Sequence, residues 1–196
     1  TAFVMISYLF LILVKRLLMA PLPGRKITKY QQNPYFCLKI SSMENGICPT
    51  ALAPIRDEPS HQAEMTSQLL FGEIFKTEEQ QKDWLLVRTE WDEYVGWVNV
   101  SQVLMMDASL FKRFLRARHH ITTNPVTETG HPEGHLMLSA GSSLYSLRER
   151  DIDPDFLVFT KPDELQINNL SGRKKIAGNA LQFLNCPYLW GGRSVF

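Results

Sequence analysis

The sequence predicts a mainly β protein, and two observations carry this prediction. From residue 46 onwards, short runs rich in β-branched and aromatic residues alternate with polar turns, a pattern typical of small antiparallel barrels. In the first half of the chain these runs are residues 47–55, 68–76, 84–88 and 94–100. A helical pattern and a paired glycine, Gly191-Gly192, follow the strand-rich region, which therefore leads into a helix and a tight turn.

Composition and charge narrow the class of protein. The 196 residues can form one ordinary domain or two small ones, and 44% hydrophobic residues are ordinary for a globular protein. Residues 1–42 contain six basic residues and no acidic one, which leaves 15 basic and 20 acidic residues in the remainder. This mildly acidic remainder has no basic stripe, which argues against nucleic acid as a partner. Three cysteines at no metal-like spacing argue against a disulfide framework or a zinc site, and no cofactor is predicted.

The first 42 residues form a separate leader with three interpretations. Residues 2–14 are almost entirely apolar, but this run is shorter than the roughly 20 residues that span a bilayer. Its positive charges, Lys15 and Arg16, follow the apolar run, whereas a signal peptide carries them in front. The leader is a truncated signal or membrane anchor, a buried or interfacial helix, or non-native sequence upstream of a start at Met43. A start at Met43 implies a cytoplasmic protein, and a genuine signal implies the cell envelope.

Residues 44–106 are predicted to form the first barrel. Its polar turns fall at residues 57–60, 80–83 and 91–93. Trp84 and Trp97 are expected in its core. Gly96, inside a strand pattern, predicts a bulge or a sharp bend.

This region resembles the bacterial SH3-like domains that precede a cell-wall peptidase. The resemblance rests on Trp84-Leu85-Leu86-Val87-Arg88 followed by Tyr94-Val95-Gly96-Trp97-Val98, and on the segments 57–61, 67–73 and 101–103. In the subclass with paired SH3-like domains, an acid and a tyrosine of the first domain hold the free N-terminal amine of a muropeptide. Tyr94 matches that tyrosine, and Glu64 is the nearest suitable acid, with Glu58 as the alternative. An ammonium group favours a carboxylate and an aromatic face.

A connecting helix and a second barrel are expected next, over residues 107–118 and 119–170. Asp107-Ala108-Ser109 can cap a helix with one apolar face, formed by Leu110, Phe111, Phe114 and Leu115. The pattern of residues 136–139, 140–144 and 156–159 resembles a second, more degenerate SH3-like barrel. His131 and His135 are four residues apart, but Pro132 and Gly134 lie between them, so a helical zinc site is not predicted.

The final segment, residues 171–196, resembles the opening of the NlpC-type catalytic domain, a papain-like α+β fold. Ser171 can cap a helix whose apolar side is Ile176, Ala177, Ala180, Leu181 and Leu184. The motif Pro187-Tyr188-Leu189-Trp190-Gly191-Gly192-Arg193-Ser194 carries the resemblance. It implies that Tyr188 lines the substrate pocket, while Trp190 is expected to pack in the core. Cys186 precedes the glycines, whereas the family's nucleophile follows them, so Cys186 is expected to be a buried small side chain.

The family resemblance also implies where the catalytic residues belong. In the family, an Asp-Cys-Ser-Gly element follows the paired glycines within a few residues, so the nucleophilic cysteine is expected just after Phe196. A histidine further along the chain acts as its base. Neither residue is present in these 196 residues, so no catalytic residue is assigned, and the chain alone is expected to be inactive.

The resemblance as a whole implies two small SH3-like barrels followed by the first helix and turn of a cysteine peptidase domain. Its relatives are γ-D-glutamyl-L-diamino acid endopeptidases, which cleave muropeptides bearing a free N-terminal L-Ala. The expected partners are peptidoglycan-derived peptides, with a membrane only if residues 2–14 are an anchor. The alternative is a non-catalytic SH3-like module that binds the cell wall or its peptides.

Overall fold

A computed structural model describes residues 44–131, 134–147 and 173–196. The leader, Ser171 and the strand expected at residues 156–159 lie outside these ranges. No helix within the described ranges is long and apolar enough to cross a membrane.

A seven-stranded antiparallel sheet forms the first barrel region, and the mainly β fold is confirmed. The strands run in the order β3-β2-β6-β5-β4-β1-β7. Their bounds are β1 Asn45–Ile47, β2 Leu52–Arg56, β3 Met65–Leu70, β4 Ile74–Gln81, β5 Trp84–Thr89, β6 Val95–Asn99 and β7 Leu104–Met106.

One predicted strand, residues 68–76, is interrupted by a tight turn between β3 and β4. Gly72 adopts φ +78°, and a Cβ at this position would lie 1.9 Å from the carbonyl oxygen of Ser143. The backbone N–H of Glu73 donates to the carbonyl of Leu70 at 3.0 Å. The hydrophobic run therefore changes direction at Gly72, where Ser143 packs against it. The local sequence pattern cannot predict this contact, because the two residues are distant in sequence.

Gly96 lies in a closely packed position, and of the predicted bulge or sharp bend, the bulge is not found in the pairing of β5 with β6. β5 and β6 pair without a register shift, with Val87 opposite Gly96. A Cβ on Gly96 would lie 2.3 Å from the Cγ2 of Ile55 on β2. It would also lie 3.0 Å from the carbonyl oxygen of Arg56, so β2 approaches Gly96 closely, which is one of the reasons for a glycine inside a strand.

The sheet is buried on both sides in places, because two hydrophobic clusters share its strands. Met105 and Phe75 belong to the interior cluster, whereas their neighbours Leu104 and Ile74 belong to a second cluster. The interior cluster comprises Cys48, Ala53, Ile55, Leu69, Phe75, Leu85, Val87, Val98, Val103 and Met105. The second comprises Ile47, Phe71, Ile74, Leu104, Met106, Phe111, Phe114, Leu138, Leu144 and Tyr145. Trp84 and Trp97 are both buried, as predicted.

Helix α1, Ala108–Arg116, covers the second cluster. Asp107 caps it, since its Oδ1 accepts from the N–H of Leu110 at 2.7 Å. Phe111 and Phe114 are buried, but Leu115 is 48% exposed, which corrects its assignment to the apolar face. Successive helical residues are about 100° apart, so Leu115 turns away from the side that Phe114 occupies.

Residues 119–147 contribute two small antiparallel pairs. Strand β8, His119–Ile121, pairs with β11, Ser143–Tyr145, and β9, Val126–His131, pairs with β10, Gly134–Ser139. The hydroxyl of Tyr145 donates to the carbonyl of Gly72 at 2.6 Å, which ties β11 to the β3–β4 turn. The second barrel predicted over residues 119–170 stays a prediction, because much of it lies outside the described ranges.

Helix α2, Arg173–Leu181, opens the terminal segment, which we define as residues 173–196. Three of the side chains expected on its buried side are 62–66% exposed, namely Ile176, Leu181 and Leu184. The chain then passes through Asn185, with φ 69°, into residues 186–189, which form no regular secondary structure, and a turn at Trp190 and Gly191. We call residues 187–194 the terminal turn.

Candidate functional site

The terminal turn lies directly against strand β3 of the first barrel. Gly191 has φ +69°, and a Cβ there would lie 2.4 Å from the carbonyl oxygen of Met65 and 2.9 Å from the carbonyl carbon of Thr66. A side chain would therefore meet backbone and also strain the left-handed conformation. The glycine lets two backbones approach that are 125 residues or more apart in sequence, and the site is built at this junction.

Arg193 anchors the terminal turn through four hydrogen bonds. Its backbone N–H donates to Gln68 Oε1 at 2.8 Å, and its Nη1 donates to the Gln68 carbonyl at 2.8 Å. Its Nη1 and Nη2 also donate to the two carboxylate oxygens of Glu73, at 2.9 and 2.6 Å. Such a bidentate pair fixes geometry as well as charge.

Glu73 is only 8% exposed, and this burial governs its protonation. Burial raises the pKa of the carboxyl above its ordinary value, and the hydrogen bonds and charge of Arg193 partly oppose that rise. The N–H of Leu70, which donates to Glu73 Oε2 at 2.9 Å, acts in the same direction as Arg193. The pair is thus a partly buried charge compensated by one cation and one backbone donor.

Glu64 is joined to the terminal turn through Trp190. The indole Nε1–H of Trp190 donates to Glu64 Oε1 at 2.6 Å. Trp190 was expected in the core, but it is 64% exposed, so that expectation is wrong. Its indole N–H has a hydrogen-bond partner on the surface of the first barrel, so the side chain is held there with much of the ring exposed to solvent.

Tyr94, on the first barrel itself, contacts the same stretch of β3. Its hydroxyl donates to the carbonyl of Thr66 at 3.3 Å, and its backbone N–H donates to Thr89 Oγ1 at 2.8 Å. The ring is half-buried and packs against the interior cluster. Residues 64–66 therefore lie beside both Tyr94 and the terminal turn.

Tyr188 and Glu58 are not held in the same way. Tyr188 is 83% exposed in the irregular stretch before the turn. Glu58 is exposed in the connection between β2 and β3, and no hydrogen bond from the described residues reaches its carboxylate. Of the predicted substrate-binding residues, the structure joins Glu64 and Tyr94 to the junction and leaves Tyr188 at its open edge.

Phe196, after which the nucleophile is expected, lies beyond the terminal turn and does not join the site. Its side chain is 45% exposed, and its backbone N–H donates to Ser194 Oγ at 3.3 Å. The preceding N–H, of Val195, donates to Ser139 Oγ at 3.3 Å, which directs this end of the chain toward β10. These contacts place Phe196 as a flanking residue, and the cysteine expected after it stays a prediction.

The two described cysteines have opposite environments. Cys186 is exposed, so the prediction that it is a buried small side chain is wrong. Cys48 is fully buried, and burial raises the pKa of its thiol to about 12, against which the hydrogen bonds to Thr50 act. Within the described ranges there is no cluster of three or more metal-ligating side chains. His135 instead pairs with Glu128, Nδ1 to Oε1, at 2.8 Å.

Two features of the site are not predicted from the sequence: the pairing of Arg193 with Glu73, and a cleft of about 320 Å³ that both of them line. The cleft also contains Trp91, which is 67% exposed and contacts the ring of His119 at 5.4 Å between centroids. One signal for Glu73 was available: an acid inside an apolar run must be paired or lie at a turn, because an isolated buried carboxylate is costly.

The first barrel is similar to a described class of bacterial SH3 domain. Residues 55–103 match the family model described as the bacterial dipeptidyl-peptidase SH3 domain. The match covers β5 and β6 and contains both Glu64 and Tyr94.

The chain is also similar to a dipeptidyl-peptidase and to NlpC/P60 proteins, which confirms the resemblance indicated by the sequence. Dipeptidyl-peptidase 6 of Lysinibacillus sphaericus is 25% identical over 178 residues, which span 76% of this chain and 63% of that protein. An NlpC/P60 family protein from Bacillus cereus ATCC 10987 has the same fold, with a TM-score of 0.56 at 14% identity over 78% of this chain and 67% of its own. An NlpC/P60 endopeptidase from Photobacterium damselae subsp. piscicida is 20% identical, with a TM-score of 0.41, over 53% of this chain and 27% of its own.

Proposed function

We propose that this chain is the substrate-recognition part of an NlpC-type bacterial cell-wall peptidase. Its ligand is a muropeptide with a free N-terminal L-Ala, and the peptidase cleaves after γ-D-Glu. The relatives support the broad class of the protein, and the junction between the first barrel and the terminal turn supports the choice of ligand.

The single observation that carries this proposal is the hydrogen bond from Trp190 to Glu64. It brings an exposed carboxylate and an exposed aromatic face together from positions 126 residues apart in sequence. The bond occupies Glu64 Oε1 and leaves Oε2 free to accept from an ammonium group. A carboxylate beside aromatic faces is the chemistry that recognises such a cation.

Each residue has a distinct role in the proposed site. Glu64 accepts hydrogen bonds from the terminal ammonium of the peptide. Tyr94 closes the barrel side, with its hydroxyl held by Thr66 at 3.3 Å. Trp190 orients Glu64, and the ring of Tyr188, which is 83% exposed, packs against the peptide when it binds.

In the complete peptidase, the family resemblance implies that a thiolate attacks the amide carbonyl after γ-D-Glu. An acyl-enzyme then forms, the amine of the next residue leaves, and water hydrolyses the thioester. The residues of this chain would hold the amine end of the peptide so that the scissile amide reaches the nucleophile in one register.

Calorimetric titration with the dipeptide L-Ala-γ-D-Glu tests the proposal. We expect Glu64→Gln to weaken binding roughly ten-fold, in line with loss of a hydrogen bond to a charged group. Glu58→Gln is the matched control, since Glu58 is an exposed acid in the same β2–β3 connection, and it should bind like the wild type. N-acetylation of the L-Ala should abolish binding, because it removes the positive charge.

Two results would contradict the proposal. Equal affinity for the free and the N-acetylated dipeptide would exclude recognition of the amine. Binding to intact glycan strands regardless of peptide end groups would favour the alternative, a non-catalytic module that binds the cell wall.

A further inference from the structure

Arg193 is the main anchor between the terminal turn and the first barrel. Four of its hydrogen bonds end on Gln68 and Glu73, whose side chains are 2% and 8% exposed. By contrast, Trp190 and Glu64, which it brings together, are both exposed. The rigid part of this junction therefore lies at Arg193, and the ligand-facing part lies three residues away.

The length of the terminal turn makes this anchor consequential. Between Arg193 and Trp190 lie only Gly191 and Gly192, and Gly191 already touches the backbone of Met65. Fixing Arg193 therefore fixes where the indole of Trp190 can reach. Exposed polar pairs on their own would not hold the turn in this way, because each contributes little to stability.

We propose that Arg193 is a positioning residue for the amine site: by gripping Glu73 and Gln68, it holds Trp190 on Glu64 and sets the orientation of the Glu64 carboxylate. The ligand in this inference rests on the proposed function, whereas the role of Arg193 in holding Trp190 does not depend on it. Arg193 does not touch the ligand. Its effect passes through the terminal turn to Trp190 and from there to Glu64.

The indole N–H resonances of the four tryptophans give a direct readout of this positioning. We expect Arg193→Met, in protein carrying 15N-labelled tryptophan, to shift the Trp190 signal and speed its exchange with solvent. Trp190→Phe assigns that signal. Trp84 and Trp97 are buried in the first barrel, so their unchanged signals show that the variant is folded.

The same variant should weaken binding of L-Ala-γ-D-Glu by roughly 10- to 100-fold, the range expected when a positioned group is displaced. The affinity of Arg193→Lys should lie between those of the wild type and Arg193→Met, because an ammonium group keeps the charge but cannot make the bidentate contact. Arg88→Met is the matched control: it breaks another Arg–Glu pair, Arg88 Nε to Glu78 Oε1 at 2.5 Å, whose side chains are 45% and 36% exposed. It should change neither readout.

Two further variants separate positioning from simple destabilisation. Arg193→Met combined with Glu73→Gln removes the unpaired buried charge, so it should recover thermal stability without recovering affinity. Gly191→Ala keeps Arg193 but lifts the turn off Met65, and it should reproduce both the Trp190 shift and the loss of binding.

The possible outcomes are distinct. An unchanged Trp190 signal in Arg193→Met would overturn the positioning role, as would a shifted signal with unchanged affinity. Recovery of affinity in the double variant would also overturn it, because buried charge alone would then explain the loss. If wild-type protein fails to bind the dipeptide, the proposed function falls, while the Trp190 signal still decides whether Arg193 holds the turn.

Discussion

The first barrel and the terminal segment of this chain are stabilised by different forces. In the barrel, apolar side chains from several strands form one closed cluster, and most of them are completely buried: Cys48, Ala53, Ile55, Leu69, Phe75, Leu85, Val87 and Val98. In the terminal segment, most large apolar side chains are exposed, and the junction with the barrel consists of hydrogen bonds and one ion pair. The barrel is therefore stabilised by its own core, whereas the position of the terminal turn depends on a few polar contacts.

The largest expected effect comes from removing apolar volume in the barrel, and the same kind of change in the terminal segment is the comparison. Phe75→Ala should cost about 3–5 kcal/mol of unfolding free energy, because the ring is fully buried and a Cβ on Gly46 would lie only 2.4 Å from its Cζ. Leu184→Ala, at a side chain that is 66% exposed, should change it by less than about 0.5 kcal/mol. Urea unfolding followed by circular dichroism measures both. A loss above about 1 kcal/mol for Leu184→Ala would show that this side chain is covered in solution, which would contradict the contrast between the two regions.

The contrast between the regions also explains what the sequence could predict of the fold. Strands β5 and β6 follow from local alternation and from Trp84 and Trp97, because each buried side chain there is dictated by its own strand. The β3–β4 turn was missed because its cause is Ser143, which lies 71 residues further along the chain and meets Gly72 only in the folded protein. Local patterns cannot report a contact between distant segments.

The candidate site was predictable to a smaller extent. Family resemblance indicated Glu64, Tyr94 and Tyr188, since their positions are defined relative to recognisable motifs. The pair of Arg193 and Glu73 is separated by 120 residues, and nothing near either residue specifies the other. Trp190 was assigned to the core for a related reason: its aromatic ring suggests burial, but its indole N–H finds a partner in Glu64 at the surface.

The cysteines provide the second prediction, because one belongs to each region. At about pH 8, iodoacetamide should modify Cys186 within minutes and Cys48 roughly 10³-fold more slowly, since burial blocks access and raises the pKa of the Cys48 thiol to about 12. Tryptic peptides 40–56 and 176–193 separate the two, and Cys37 falls on peptide 30–39. Mass mapping in guanidinium, where both thiols should react alike, is the control. Comparable rates without denaturant would mean that the barrel opens readily, contrary to its closed core.

The smallest expected effect is a pH dependence at the contact between the two regions. Burial raises the pKa of Glu73, with a further rise from the charge of Asp92 and an opposing effect of Arg193. The folded protein therefore binds this proton more tightly than the unfolded chain does. The stability associated with protonated Glu73 is fully present below the unfolded pKa and is lost as the pH rises through the folded pKa.

Glu73→Gln removes this titration and serves as the reference. We expect the unfolding free energy of the wild type, relative to Glu73→Gln, to fall as the pH rises from about 4 toward neutrality. In Arg193→Met the same difference should keep falling to a higher pH, because losing the guanidinium raises the pKa of Glu73 further. Urea titrations of the three proteins across this range measure the difference. Parallel curves for the wild type and Glu73→Gln would mean that Glu73 has the same pKa in the folded protein and in the unfolded chain, which would contradict the raised pKa.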